Sequence, residues 1–165
     1  MERILIIGGN GSGKTTFSVQ LAGKTKLPLV HLDNIFWYGN WQYRHREEFD
    51  PLLVKELEKP SWIIDGNYVR TLPLRLQYCN TVFYFDFSTI RCLWGVTSRV
   101  VNNYGKTRPD MGGNCPDRFD LNFYKNILSF NRKNRKEIYE HLEKSGVKYV
   151  VFKNRKQAKA YLSSI

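Results

Sequence analysis

Short apolar runs alternate along this chain with longer stretches in which apolar residues recur every three or four positions. The runs predict strands at Arg3–Ile7, Leu29–Leu32, Trp62–Asp65, Val82–Asp86 and Val147–Phe152. The amphipathic stretches predict helices near Lys14–Lys24, Glu47–Lys59, Leu72–Tyr78, Thr89–Tyr104, Leu121–Lys144 and Lys156–Ser163. Strands separated by helices imply an α/β class with a mostly parallel sheet, because parallel neighbours need a crossover and that crossover is usually a helix. Two stretches fit neither period. Residues 34–46 are crowded with Phe36, Trp37, Tyr38, Trp41 and Tyr43, and residues 105–117 are rich in glycine, proline and charge. Loops of this length in a compact α/β domain usually serve as lids or binding loops.

Composition adds bounds. A chain of 165 residues with 42% apolar and 15% aromatic content suits a single domain, residues 1–165, with a respectable core. No apolar run approaches a membrane span, and Met1-Glu2-Arg3 leads directly into the first strand. Cys79, Cys92 and Cys115 form no CxxC pair and show no metal-ligand spacing with the histidines, which reads as free thiols. The expectation is a cytoplasmic protein with no membrane partner. A formal charge of +11 favours anionic partners, among them nucleotides, phosphorylated metabolites and nucleic acid, without choosing between them.

The most specific chemistry lies just after the first strand. Gly8-Gly9-Asn10-Gly11-Ser12-Gly13-Lys14-Thr15 fits G-x-x-x-x-G-K-[ST], with a strand before it and a helix opening at Thr16. Glycines let the backbone curl so that successive N–H groups face an anion, and the helix dipole adds to the same spot. Lys14 is placed to reach the outer phosphates of a triphosphate, and Thr15 to ligate Mg2+. ATP with Mg2+ is the cofactor pair expected, since no guanine-reading N-K-x-D motif is visible.

Other candidates sit at strand ends, where ligands bind in such sheets. Asp65, followed by Gly66 and Asn67, is read as a carboxylate that holds magnesium, or a water bound to it, and as part of a substrate edge, or else as a helix cap or turn former. Asp33 can orient or deprotonate an attacking hydroxyl, or cap a helix, and His31 reads as a partly buried, satisfied residue. Positive charge for a transferred phosphoryl group has candidates in Arg70, Arg99, Lys106, Arg108, Arg132 and Arg135, each of which can equally be solvated surface. Trp37 and its aromatic neighbours can pack a mobile region onto the core or stack on a planar substrate. Asn154 and Arg155, after the last strand, can lie over an adenine ring or cap the final helix.

These segments resemble adenylate-kinase-type P-loop kinases and, more closely, the small bacterial DNA topology modulation proteins. The likeness covers nearly the whole chain. It rests on Gly8–Thr15, His31-Leu32-Asp33 with Phe36-Trp37, Trp62–Tyr68, Arg70-Thr71, Gly105–Asp110 and Cys115-Pro116. The resemblance implies a three-layer P-loop NTPase fold whose five parallel strands stand in the order 2-3-1-4-5. It also implies a substrate-side aromatic region at residues 34–60 and a short lid at residues 104–120. Adenylate kinases carry Asp-Gly-Phe-Pro-Arg-Thr after the third strand; Asp65-Gly66 and Arg70-Thr71 match with one extra residue between, so AMP is not the expected acceptor. Two functions follow as expectations. One is a kinase moving the γ-phosphoryl of ATP to an unidentified small acceptor; the other is a nucleotide-dependent DNA-associated protein that uses ATP as a switch.

Overall fold

The computed structural model describes residues 1–165. Its central sheet is built from β1 (Arg3–Gly8), β2 (Leu29–His31), β5 (Trp62–Asp65), β6 (Thr81–Phe85) and β7 (Lys148–Phe152). All neighbours are parallel, in the order β2-β5-β1-β6-β7. Counted along the five strands of this sheet, that is the expected 2-3-1-4-5. Two further strands, β3 (Trp37–Gly39) and β4 (Gln42–Tyr43), pair as a small antiparallel hairpin outside the sheet.

Side chains alternate across the pleat, so each strand feeds two cores. Ile4, Ile6, Ile63, Phe83 and Phe85 face α1 (Lys14–Thr25), α5 (Thr89–Asn103) and α7 (Arg155–Ser163). Leu5, Ile7, Trp62, Ile64, Val82 and Tyr84 face α3 (Arg46–Leu57) and α4 (Leu72–Tyr78). The long α6 (Leu121–Ser145) serves both: Ile127 packs in the first core, and Ile138 and Leu142 in the second. The result is a three-layer α/β domain.

Element ends differ from the sequence expectation by one or two residues, with one larger exception. The stretch after β2 is structured: Leu32 turns out of the strand into a short helix, α2 (Leu32–Phe36), and the hairpin follows at once. Register sets the site. Ile6 stands beside Asp65, His31 beside Asp65 and Gly8 beside Phe85, which brings the phosphate loop and the ends of β2, β5 and β6 to one edge.

Candidate active site

The loop after β1 is shaped by glycines that no other residue replaces cheaply. Gly8, Gly11 and Gly13 all have positive φ, at 140°, 79° and 93°. A methyl group on Gly8 would lie 2.5 Å from the Phe85 carbonyl oxygen, and one on Gly11 2.2 Å from that of Cys92. From α5, a methyl on Gly95 would reach the Gly11 oxygen at 2.1 Å, so helix and loop touch backbone to backbone. Ser12 is fully buried and its hydroxyl has no partner within the loop. Lys14 Nζ donates to the Gly9 carbonyl at 3.0 Å, and Arg155 Nη2 donates to that of Gly11 at 3.2 Å. Curled backbone, an orphan hydroxyl and two converging cations fit a phosphate group.

Charged residues from four elements gather at this edge. Burial pushes the Lys14 ammonium below its ordinary pKa, while the charges of Asp65 and Asp33 pull it back up. Asp65 is buried with one partner on each oxygen: Oδ2 accepts from Ser18 Oγ at 2.7 Å, and Oδ1 meets His31 Nδ1 at 2.8 Å. Burial works against a charge on His31, yet Asp65 holds its pKa above the usual value. Asp33 Oδ1 accepts from the Tyr68 hydroxyl at 2.6 Å. Burial raises the Asp33 pKa, with Tyr68, Lys14 and Arg108 acting in the opposite sense. A carboxylate raised in this way, beside a phosphate loop, is suited to take a proton from a hydroxyl.

Over this edge lies the lid. Arg108 Nη1 donates to Asp110 Oδ2 at 2.6 Å, and its Nε approaches Asp117 Oδ2 at 3.3 Å. Arg99, from the end of α5, pairs with the same Asp117 at 3.5 Å and faces the Phe123 ring at 5.8 Å. Burial, reinforced by Arg108, lowers the Arg99 pKa. Asp110, Met111, Cys115 and Asp117 are all buried, so the lid is seated.

The lid's far side rests on the β3–β4 hairpin. A methyl on Gly112 would lie 1.8 Å from the Trp37 carbonyl oxygen. Asn40 N–H donates to Asn114 O at 2.8 Å, Trp41 N–H donates to Cys115 Sγ at 3.3 Å, and Arg118 lies over the Trp41 ring. Phe36 and Trp37 meet edge to face at 5.0 Å, with Trp41, Tyr43, Phe49 and Tyr68 around them. The aromatic residues are therefore used for packing, and together with the lid they form a clamp above Asp33.

Several expected residues are not brought to this cleft. Arg70 forms a two-pronged ion pair with Asp50, at 2.6 and 2.9 Å, on the exposed wall of a cavity of about 300 Å³ whose other walls include Phe36 and Tyr68 of the clamp. Arg135 pairs at 2.7 Å with Asp86 at the end of β6, and Arg132 lies exposed beside it on α6. Asn154 caps α7 by accepting from Gln157 N–H at 3.0 Å, the plainer of its two readings, while its neighbour Arg155 does reach the phosphate loop. Thr16 and Asn10 stay within the phosphate-loop stretch, at the first turn of α1 and the loop tip, with their side chains exposed.

Three residues were missed by reasoning from sequence. Arg75 is fully buried and donates to the carbonyls of Gly66, Asn67 and Tyr68 at 2.9–3.0 Å, fixing the turn that carries Tyr68 to Asp33. Its burial lowers its pKa to about 10. A hint was present: Arg75 shares the apolar face of α4 with Leu72 and Leu76. Asp86 gathers Arg135, Tyr139 and Lys153 from distant positions, and these hold its pKa low against the effect of burial. Asp110, in the lid, accepts from the Thr15 hydroxyl at 3.2 Å. For the last two, the sequence offered only an aspartate after an apolar run, Asp86, and one in a charged loop, Asp110.

Sheet order and phosphate loop define the class as a P-loop NTPase fold. Comparison with solved structures agrees: the shikimate kinase of Acinetobacter baumannii, solved in complex with shikimate, superposes with a TM-score of 0.66. That match covers 99% of this chain and 90% of the other at 14% identity. The shikimate kinase of Bacteroides thetaiotaomicron gives 0.60 at 18% identity, over 99% and 95%. No protein-family model and no curated protein matches the sequence. No helix is long and apolar enough to cross a membrane.

Proposed function

We propose that this chain is an ATP-dependent phosphotransferase that passes the γ-phosphoryl group to a hydroxyl of a small acceptor seated against Asp33. The observation that carries this reading is the convergence of Lys14, Asp33, Arg99 and Arg108 on one cleft, each from a different element and under a seated lid. A loop that bound a triphosphate only as a switch would need no raised carboxylate facing its lysine. Thr15 and Asp65 supply oxygen donors of the hard kind that Mg2+ takes, and the ion would neutralise phosphate charge. Lys14 and the loop N–H groups bind the phosphates, Asp33 orients the acceptor hydroxyl and receives its proton, and Arg99 and Arg108 offset charge on the moving group. Tyr68 and Arg75 hold Asp33 and its turn in place, and the clamp excludes water.

Both named neighbours are kinases, and one was solved with shikimate, which makes hydroxylated small acids a sensible part of an acceptor screen. The resemblance of its motifs to the DNA topology modulation proteins names no reaction. The +11 charge, with Arg132, Arg135 and Lys136 exposed along α6, favours the second reading of a DNA-associated, nucleotide-switched protein. Turnover of ATP with Mg2+ against a panel of nucleosides, sugars and hydroxy acids, and separately against duplex DNA, decides between them. A small acceptor is expected to raise turnover strongly. Stimulation by DNA alone, with DNA affinity that depends on bound nucleotide, would establish the switch instead.

A further inference from the structure

We infer that Asp110 is a metal-site residue delivered by the lid, so that the lid seats over the nucleotide only when a divalent cation is bound. The inference rests on the phosphotransferase reading of the same cleft and adds to it a residue that neither the loop motif nor Asp65 supplies.

Position is the first argument. Asp110 is buried at 7% exposure and its Oδ2 lies 3.2 Å from Thr15 Oγ1, the hydroxyl that the phosphate-loop motif assigns to the ion. The carboxylate is held from behind by Arg108 at 2.6 Å, and Arg108 is held in turn by Asp117. Both contacts of Asp110 fall on Oδ2, leaving Oδ1 for a cation or for water bound to one. Asp65, by contrast, has both oxygens engaged, one by Ser18 and one by His31. Of the two carboxylates, the one in the lid has the freer coordination.

Charge is the second argument. Although the chain as a whole is strongly basic, the cleft is not: Lys14 faces Asp33 and Asp65, while Arg99 and Arg108 are matched by Asp117 and Asp110. A triphosphate entering beneath the seated lid would meet Asp110 across a few ångströms of water-poor space, where like charges repel strongly. Two arrangements relieve this. Either the lid lifts Asp110 away, or a divalent ion stands between carboxylate and phosphate. The second keeps Arg108 and Arg99 at the phosphates, where the transfer needs them, and uses the all-oxygen donors Mg2+ prefers.

The test uses the full chain, Mn2+ as a paramagnetic probe and a non-hydrolysable ATP analogue. Binding of Mn2+ in the presence of the analogue, read by electron paramagnetic resonance, is expected to weaken about tenfold or more in Asp110→Asn. Analogue binding without metal is expected to be unchanged or tighter, since a repelling charge has gone. Trp41, which touches the lid, supplies a second signal: the wild type should show a fluorescence change with analogue plus Mg2+ but not with analogue alone, and Trp41→Phe identifies its share. Asp110→Glu, which keeps the charge, should recover part of the Mn2+ affinity and guards against a mere loss of folding. If Asp110→Asn binds Mn2+ with the analogue as tightly as the wild type, or if the lid signal appears without metal, the assignment of Asp110 is wrong. Should the wild type bind no analogue under either condition, the reading of the phosphate loop itself fails, which is a separate result.

Discussion

One end of the cleft, Gly8 to Thr15, comes from a single unbroken stretch of chain, whereas the opposite end takes its parts from residues 31–44, 65–68 and 105–117. The phosphate loop is specified locally: positive-φ glycines, a lysine and a helix start lie side by side in sequence. The clamp is specified by contacts between stretches that are each unremarkable alone, such as Gly112 against Trp37 O and Asn114 against Asn40. A local device recurs wherever its short sequence recurs, and its binding partner is generic. An assembled device is particular to one chain, and in the proposed phosphotransferase it would enclose the acceptor side. That difference explains why the nucleotide end declares its ligand and the acceptor end does not.

The comparison can be broken most severely at the loop. Lys14→Ala should lower turnover about a thousandfold, as the loss of a preorganised charge at developing anions does, with the melting temperature little changed. Asp33→Asn, on the other side, should lower kcat about a hundredfold while leaving binding of the ATP analogue intact. Since burial raises the Asp33 pKa and the ionised form is the proton acceptor, wild-type kcat/KM should climb with pH through a value above the ordinary carboxylate range and then level off. Asp33→Asn should lose that acid limb, and an unchanged limb would reassign the base.

Smaller effects separate the two ends more sharply. Gly95→Ala forces a methyl group onto the Gly11 carbonyl, overpacking worth about 1–3 kcal/mol, and should weaken nucleotide binding about tenfold. Its counterpart Gly112→Ala pries the lid off Trp37 and should raise the acceptor KM by a few-fold while nucleotide affinity holds. Reversed results from this pair, measured by calorimetry and steady-state kinetics, would mean that loop and clamp are one unit. Least affected should be Arg70→Ala, which removes an exposed ion pair with Asp50 worth under about 1 kcal/mol. A tenfold rise in acceptor KM would instead show that Arg70 leaves Asp50 to grip the acceptor.

Most of the fold was legible because β1, β5 and β6 are apolar on both faces, which leaves a central parallel strand as the only comfortable home for Ile4–Ile7 or Val82–Phe85. Helix and strand ends came within a residue or two. The region after β2 did not: Gly39-Asn40 between aromatic residues is a turn signal, but the flanking strands are only two or three residues long and rest on the lid. In the candidate site, the motif placed Lys14 and Thr15 in the loop after β1, and the apolar runs placed Asp33 and Asp65 at the same sheet edge; the roles given to them belong to the proposed function. Arg99 and Arg108 reach the cleft, while Arg135 is taken by Asp86 instead. That outcome turns on where α6 crosses the sheet edge, a tertiary fact with no local signature. Arg75 and Asp110 likewise act through partners far along the chain or across the cleft.

Backbone contact between Gly11 and Gly95 has a mechanical meaning. It seats α5, the stem from which the lid grows, directly on the phosphate loop, so a shift of the stem would have to displace that loop's backbone. Just past the end of α5, Gly105 turns the chain at φ 73°, with its N–H held by the Asp117 carbonyl at 2.9 Å. The lid is thus a short flap on a fixed post. In the proposed phosphotransferase, that layout would let the flap and the hairpin it lands on be exchanged or lengthened together, altering which acceptor is enclosed while the grip on the phosphates stays as it was.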